Sequence, residues 1–282
     1  MSKLPGSTSQ SEEIIIRPPS ELLQFDLREY YRYRHMFRAL VWRNIRVQFD
    51  EVYLSFVWVW VRPLLYVLVF VAFRKLSNAN VYVSIPYALY LYSGLILYYY
   101  FVESTMETAG VLKSDAHLLT KVYFPRLITP MVPTVANLVN LGLSLIPMAV
   151  MMLWYGVWPS WRIVLLPLVV LQCMILIVGI GMIVAAITLT NRDWERLLGS
   201  VLYIGLFISP VIYAPEMIPE QARVIYLVNP GVGTLLAFRS TIFATETFPV
   251  WSWLYSVVFS LGVFILGVRI YRTAESQFAD KL

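Results

Sequence analysis

The chain has 282 residues, of which 59 % are hydrophobic and only 14 % are charged. A soluble domain carries about 25 % charged residues, so this surplus of apolar side chains excludes an ordinary soluble protein and requires lipid to cover part of the surface. The net charge of +5 does not indicate a nucleic-acid-binding protein, because the lysines and arginines lie between apolar runs, as in loops that flank membrane spans.

The first 51 residues contain no membrane span. Residues 1–33 are polar and predict a cytoplasmic lead that ends in a short surface helix. Residues 34–51 predict an amphipathic helix in the cytoplasmic interface, with its arginines toward anionic headgroups. An ordinary amphipathic connector is the alternative. The apolar stripe consists of Phe37, Val41, Ile45 and Phe49, and the polar face includes Arg43 and Arg46.

Six apolar segments of membrane length follow, and they predict an all-α integral membrane domain over residues 52–271. A span needs about 20 apolar residues. The segments cover about residues 52–73, 87–110, 127–154, 164–189, 197–213 and 250–268. Pro130, Pro133 and Pro147 fall in the third segment and predict kinks there.

The distribution of lysine and arginine predicts how the chain is oriented. Sixteen of the 22 basic residues fall on the side of the two termini, five fall on the other side, and Arg62 lies inside the first span. Cytoplasmic loops carry the excess of basic residues. We therefore expect the chain to lie in the inner membrane, with both termini, including the tail 272–282, in the cytoplasm.

Two segments between the spans have patterns of their own. The polar loop 111–126 contains all but the last residue of KSDAHLLTKVYFPRL, which begins at Lys113. It predicts a cytoplasmic element that receives force from a motor absent from this chain. Residues 215–246 hold two short apolar pieces, 222–228 and 232–244, split by Asn229 and Pro230. They predict a pair of short re-entrant helices in the outer leaflet, and an external amphipathic loop is the alternative.

The sequence lacks the signatures of an enzyme. It has no GxxxxGK[ST] loop for a nucleotide phosphate and no GxSxG motif. Its two histidines and its one cysteine, Cys173, are far apart in sequence, so neither a metal site nor a disulfide is expected. Glu103 and Glu107 share one helix face, and we interpret them as the water-facing end of the second span.

Arg62 and a cluster of aromatic residues are the candidate contacts for a transported molecule. An arginine inside a span normally faces a cavity or a partner. Two interpretations of Arg62 therefore remain: it contacts an anionic head group such as a diphosphate, or its side chain snorkels to the cytoplasmic face. Aromatic faces suit the C–H faces of sugars, although an interfacial aromatic belt is the alternative. The candidate path residues are Trp58, Trp60, Arg62, Tyr98, Tyr99, Tyr100 and Phe101.

Four stretches resemble the transmembrane subunits of ABC-type polysaccharide exporters, which move O-antigen, capsule or teichoic-acid chains. They are WVWVRPLL from Trp58, LLTKVYFPRLITP from Leu118, SPVIYAPEMIPE with LVNPGVGTLLAFR between Ser209 and Arg239, and ESQFAD from Glu275. The chain departs from the family pattern where Arg62 replaces a common glutamine, Ser55 a common glycine and Leu97 a frequent proline.

The resemblance implies a homodimeric channel driven by two separate nucleotide-binding subunits, which bind the ATP and magnesium. It implies lipid-linked polysaccharide as the cargo and no cofactor in this chain. It assigns the interface helix to Phe37–Phe49 and the aromatic lining to Tyr98, Tyr100 and Phe101. It assigns coupling to Lys113, Ser114, Asp115, Ala116, His117, Leu118, Leu119, Thr120 and Lys121, and it places outer gate helices at 222–244, where Asn229, Pro230, Phe238 and Arg239 lie.

Three other functions fit the composition. An ABC permease for a small lipid or drug would share the same spans and the same absent motor. A membrane enzyme acting on lipid-linked sugars would need a cluster of carboxylates or histidines, for which Glu103 and Glu107 are the candidates. A structural or assembly protein would bind no ATPase subunit.

Overall fold

The structure, a computed structural model, describes residues 31–50, 55–77, 83–114, 126–189, 191, 193–219, 226, 228–244 and 247–279. Regular structure in these residues is helical, apart from one isolated bridge between Pro159 and Phe243. The all-α prediction is therefore confirmed. The predicted lead up to residue 30, coupling residues 115–121 and most of the first short outer helix lie outside the described residues.

We number the α-helices α1 to α9 in chain order. Short 3₁₀ turns precede α4, α6 and α8 at Arg126–Ile128, Trp161–Leu165 and Pro215–Met217. The α-helices are α1 (Arg34–Asp50), α2 (Ser55–Ser77), α3 (Tyr87–Ser114), α4 (Met131–Ala136), α5 (Leu138–Tyr155), α6 (Leu166–Thr188), α7 (Asp193–Ile208), α8 (Pro230–Ile242) and α9 (Val250–Ala279).

Within the described residues, four helical stretches are long and apolar enough to cross a membrane. They are Phe56–Ser77, Met131–Tyr155, Trp161–Thr188 and Val250–Ala274. The other two predicted spans correspond to α3, whose 28 residues include six tyrosines, and α7, which has 16 residues. A 16-residue helix is only about 24 Å long, against a hydrocarbon core of about 30 Å. The count of six spans therefore stays a prediction.

Helix α3 lies at the centre of the bundle and contacts α2, α4, α5, α6, α7 and α8. Its tyrosines donate hydrogen bonds to backbone carbonyls of its neighbours: Tyr92 to Ser144 at 3.1 Å and Tyr100 to Thr134 at 3.1 Å. A buried tyrosine hydroxyl needs such an acceptor. The tyrosine hydroxyl groups, which lower the hydropathy of α3, thus connect this helix to the helices around it.

The third predicted span is divided at Asn137, which separates α4 from α5. The Asn137 amide still donates to the Pro133 carbonyl at 2.9 Å. The interruption therefore falls one turn after Pro133, in the proline-rich part where a kink was predicted. Pro147 lies inside α5, which continues to Tyr155.

Helices α6 and α9 pack closely against each other. A Cβ added to Gly267 would lie 2.6 Å from the Gly179 carbonyl oxygen, and a Cβ added to Gly179 would lie 2.8 Å from the Phe264 backbone. Small residues permit such backbone approach between membrane helices. Helix α8 is buried beside this pair and also contacts α3.

Candidate functional site

A polar cleft of about 250 Å³ opens where α1, α2, α3 and α5 meet. Helix α2 contributes Trp58 and Arg62, and α3 contributes Tyr99, Glu103 and Glu107. The remaining lining residues include Gln48, Asn137, Asn140 and Ser144. The cleft therefore combines one cation, two carboxylates, several amides and aromatic rings beside otherwise apolar helices.

Arg62 pairs with Glu103 across the cleft, with Nη1 to Oε1 at 2.6 Å. The two side chains are 55 % and 35 % exposed, so the pair is partly accessible from the cleft. The guanidinium carbon also lies 6.0 Å from the centre of the Tyr99 ring. Arg62 falls in the second turn of α2, which begins at Ser55 and ends at Ser77, and therefore lies in the predicted cytoplasmic half of the span, nearer to its middle than to its end.

A chain of amides connects α1 to α3. Gln48 donates from Nε2 to Asn137 Oδ1 at 2.8 Å, and Asn137 donates from Nδ2 to Glu107 Oε2 at 3.1 Å. Asn140 also donates to Asn137 Oδ1 at 3.2 Å. The break between α4 and α5 thus positions Asn137 as the link between α1 and the carboxylate on α3.

The structure brings four of the seven candidate path residues together in the cleft: Trp58, Arg62, Tyr99 and Tyr100. Of these, Tyr100 is itself buried, at 2 % exposure. The other three point elsewhere. Trp60 donates to the Leu143 carbonyl on α5, Tyr98 donates to the Leu202 carbonyl on α7, and Phe101 packs beside Tyr98.

A wider groove of about 1130 Å³ adjoins the cleft at Gln48 and Glu107, which line both spaces. In the groove, Lys113 pairs with Glu195 at 2.5 Å and so joins the end of α3 to the start of α7. Of the predicted coupling residues, only Lys113 and Ser114 are described, and both line this groove.

The predicted interface helix packs its apolar side on α4. Leu40 is buried with Ile128 and Val132, and Phe37 and Val41 flank that contact. Arg43 lines the groove and Phe49 lines the cleft. Ile45 is partly buried, whereas Arg46 is exposed, with its guanidinium 5.9 Å from the Trp42 ring.

The residues predicted for the outer gate include a fully buried arginine, Arg239. Arg239 donates to the carbonyls of Pro210, Tyr90 and Val211 at 2.5, 3.0 and 3.0 Å and lies 3.5 Å from the centre of the Tyr90 ring. Phe238 is also fully buried. The Asn229 side chain accepts from the Gly231 amide at 2.9 Å, and Pro230 is the first residue of α8.

Sequence reasoning missed several cleft residues. It noted Glu103 but not its pairing with Arg62, and it did not select Asn137, Asn140 or Ser144. A signal was available for some of them. Gln48 interrupts the apolar stripe of α1, and Asn137 and Asn140 stand three apart in an apolar segment, on one helix face.

Comparison with known proteins identifies the family. The sequence pattern of the ABC-2 type transporter family matches residues 35–243. The chain belongs to this family. It is 31 % identical to an O-antigen export system permease protein RfbA of Myxococcus xanthus over 91 % of this chain and 98 % of the relative. It is also 27 % identical to an RfbA protein of Klebsiella pneumoniae, over 85 % of this chain and 92 % of the relative.

A third relative of this ABC-2 transporter chain has a different named cargo. The polysialic acid transport protein KpsM of Escherichia coli is 22 % identical over 84 % of this chain and 92 % of the relative. The relatives are thus polysaccharide export proteins, and the family is one of membrane-embedded transport subunits. The resemblance to polysaccharide exporters predicted from the four sequence stretches is confirmed.

Proposed function

We propose that the chain is the membrane-spanning subunit of an ATP-driven exporter that moves a lipid-linked, O-antigen-like polysaccharide out of the cytoplasm. Family membership and the similarity to O-antigen export permeases along nearly their whole length support the proposal. The observation that assigns this function to particular residues is the polar cleft with aromatic side chains between α2 and α3.

In this proposal the cleft forms part of the polysaccharide path. Trp58 and Tyr99 offer ring faces to sugars, and the amides and carboxylates offer hydrogen-bond acceptors to sugar hydroxyls. Arg62 keeps further N–H donors beyond the one used by Glu103, and these can meet an anionic head group. Trp60, Tyr98 and Phe101 then support the path from behind and do not line it in the described conformation.

The working assembly contains two copies of this chain and two nucleotide-binding subunits. No GxxxxGK[ST] motif occurs in the sequence, so the ATP and its magnesium belong to the separate subunits. A symmetric pair encloses a wider path than one copy can. This chain itself needs no cofactor.

The proposed arrangement has both termini and loop 111–126 in the cytoplasm, and segment 215–246 at the outer side. The predicted domains are the lead 1–33, the interface helix 34–51, the six-span domain 52–271 and the tail 272–282. Force from the ATPase enters at residues 113–121 and reaches the groove through Lys113, which is joined to α7 by Glu195. The gate at the outer side includes Asn229, Pro230, Phe238 and Arg239.

The test is purification of the tagged chain with its ATPase subunits, followed by reconstitution in vesicles that contain a lipid-linked glycan. We expect co-purification of an ATPase, hydrolysis that rises when the glycan is added, and ATP-dependent transfer of the glycan across the vesicle membrane. Transfer of the glycan by the purified chain without any ATPase subunit contradicts the proposal. ATP hydrolysis whose rate does not change when the glycan is added contradicts it as well.

A labelling experiment tests the path. Cys173 is the chain's one cysteine and is buried, so the parent protein provides a low background for a water-soluble thiol reagent. We expect a Tyr99→Cys variant to react with this reagent faster than the parent protein during export. Reactivity no higher than in the parent during active export contradicts the assignment of Tyr99 to the path.

A further inference from the structure

We propose that the cleft selects an uncharged glycan and discriminates against a chain with a negative charge on each repeat unit. This inference rests on the proposed function, because it assigns a substrate class to the same path. The names of the relatives leave the class open, since they include exporters of O-antigen and of polysialic acid. The charges and hydrogen-bonding groups of the cleft carry the choice.

The described part of the cleft has no surplus cation. Arg62 is the one basic side chain in its lining, and Glu103 already pairs with it at 2.6 Å. The other charged residue in the lining is Glu107, another carboxylate, whose described partner is the Asn137 amide. A carboxylate on a passing sugar would therefore approach a wall with no free positive charge, and like charges that face each other disfavour binding.

The adjoining groove does not supply the missing cation. Lys113 pairs with Glu195 at 2.5 Å, and the groove wall includes Glu107 as well as Arg43. Acidic and basic side chains in its lining are therefore equal in number. A polyanion that enters along the described lining of the groove therefore meets no surplus of basic side chains there.

The hydrogen-bonding groups of the cleft favour hydroxyl donors. Gln48 Oε1 and Asn140 Oδ1 have no hydrogen-bond partner among the described residues, and because both atoms are buried, their side chains must turn toward the cleft to accept a bond from a sugar. Glu107 accepts one bond and keeps further lone pairs. Sugar hydroxyls donate to such acceptors, whereas a sugar carboxylate can only accept. The acceptor surplus and the charge balance thus point to the same class of glycan.

A single anionic head group is a different case from a charged repeat. The Arg62 side chain is 55 % exposed and can contact one phosphate at the end of the chain. A polymer charged on each repeat would need a cation at each step of its passage. In the proposed pair, the second copy adds the same residues and so adds no surplus cation.

The test compares two synthetic glycans on the same polyprenyl diphosphate, equal in length, one with neutral repeats and one with a uronic acid in each repeat. The chain and its co-purified ATPase subunits are reconstituted together, and the initial rate of ATP-dependent export is measured for each glycan. We expect the neutral glycan to be exported about tenfold faster, with a gap that narrows as ionic strength rises.

The Glu107→Gln variant sharpens the test, because an amide oxygen still accepts from Asn137 while the charge is lost. We expect its preference for the neutral glycan to fall about threefold. Asp193→Asn removes the same charge from a 73 % exposed position outside the cleft and should leave the preference unchanged. The comparison of the two glycans in the unmodified complex does not depend on whether the variants fold.

The outcomes separate the inference from the proposed function. Equal export of both glycans, or faster export of the acidic one, overturns the neutral-glycan inference and leaves the export function supported. ATP-dependent export of neither glycan overturns both. A preference that Asp193→Asn changes as much as Glu107→Gln assigns the selectivity to the overall charge of the protein and overturns its location in the cleft.

Discussion

Two arginines contact opposite halves of helix α3 and have different environments. Arg62 reaches Glu103 in the half that leads to the predicted cytoplasmic loop, and its side chain is 55 % exposed. Arg239 reaches Tyr90 and Ser93 near the other end and is fully buried. Arg62 has a carboxylate partner, whereas the described partners of Arg239 are backbone carbonyls, one hydroxyl and one ring.

The difference separates a structural arginine from an adjustable one. The planar guanidinium of Arg239 uses its fixed donors on several carbonyls at once and stacks on an aromatic face, which suits arginine and no other side chain. A partly exposed ion pair such as that of Arg62 contributes less to stability than a fully buried network of hydrogen bonds and can open more readily. We infer that the part of α3 that contacts Arg239 is rigid and that the part that contacts Arg62 can respond to a ligand.

The surrounding helices follow the same division. Around Arg239, glycines bring backbones together: Gly94 leaves room for the guanidinium, and a Cβ at Gly233 would collide with the Ser252 carbonyl. Around Arg62, helix α2 packs lightly: Trp58, which lines the cleft, and Leu65 are both exposed. Loosely packed, solvated elements are the ones that move in proteins.

The largest effect is expected from removing the buried arginine. Arg239→Met keeps most of the volume but leaves the carbonyls of Pro210 and Val211 without the guanidinium donor. Each buried group left unsatisfied costs about 1–3 kcal/mol, so we expect a loss of about 3–5 kcal/mol in unfolding free energy. The measurement is thermal or denaturant unfolding of the purified protein in detergent.

Arg196→Ala serves as the control for Arg239→Met, because Arg196 is 86 % exposed and its described ion pair with Asp193 is long, at 3.5 Å. We expect a change within about 0.5 kcal/mol there. Arg239→Lys should also be destabilised, since lysine lacks the planar fork. If Arg239→Met unfolds at the same temperature as the parent, the contrast between the two arginines fails.

An intermediate effect is expected where α6 and α9 touch. Gly267→Ala places a Cβ 2.6 Å from the Gly179 carbonyl oxygen, and because that oxygen belongs to a helix backbone, the helices must separate. Overpacking of this kind costs about 1–3 kcal/mol. Gly262→Ala on the same helix is the matched control, since its Cβ would meet nothing within 4 Å. Equal melting temperatures for the two variants would show that the contact tolerates separation.

The sequence predicted the helical fold well, because membrane spans are identified by length and apolar content alone. The four spans that meet both criteria match predicted segments. The two ambiguous helices depart from one criterion each: α3 contains six tyrosines, and α7 is 16 residues long. Tyrosine is polar in isolation, and only the tertiary structure shows that the hydroxyls of Tyr92 and Tyr100 bond to neighbouring carbonyls.

The site was predicted only in part, because side-chain direction depends on packing. Tyr98, Tyr99 and Tyr100 are consecutive, yet their hydroxyls leave the helix in different directions, toward α7, toward α2 and toward α4. The pairing of Arg62 with Glu103 joins residues 41 apart, which no local pattern predicts. Arg239 was counted among the basic residues of the outer side and placed in a short outer gate helix, and its complete burial was not predicted because its carbonyl partners are distant in sequence.

The smallest effect on stability is expected at the exposed ion pair. A double-mutant cycle with Arg62→Gln and Glu103→Gln should give a coupling energy below about 1 kcal/mol, because both side chains are partly exposed, and the coupling should weaken as salt is added. Export and glycan-stimulated ATP hydrolysis are measured on the same variants in the reconstituted complex. We expect Arg62→Gln to reduce both while the protein remains folded, since the cleft then lacks its one described cation.

A coupling of several kcal/mol, or full transport activity without Arg62, would place this arginine in the same structural class as Arg239. The cleft would then have to be regarded as a fixed part of the bundle, and the selectivity proposed for it would have to depend on Glu107 and the amides alone.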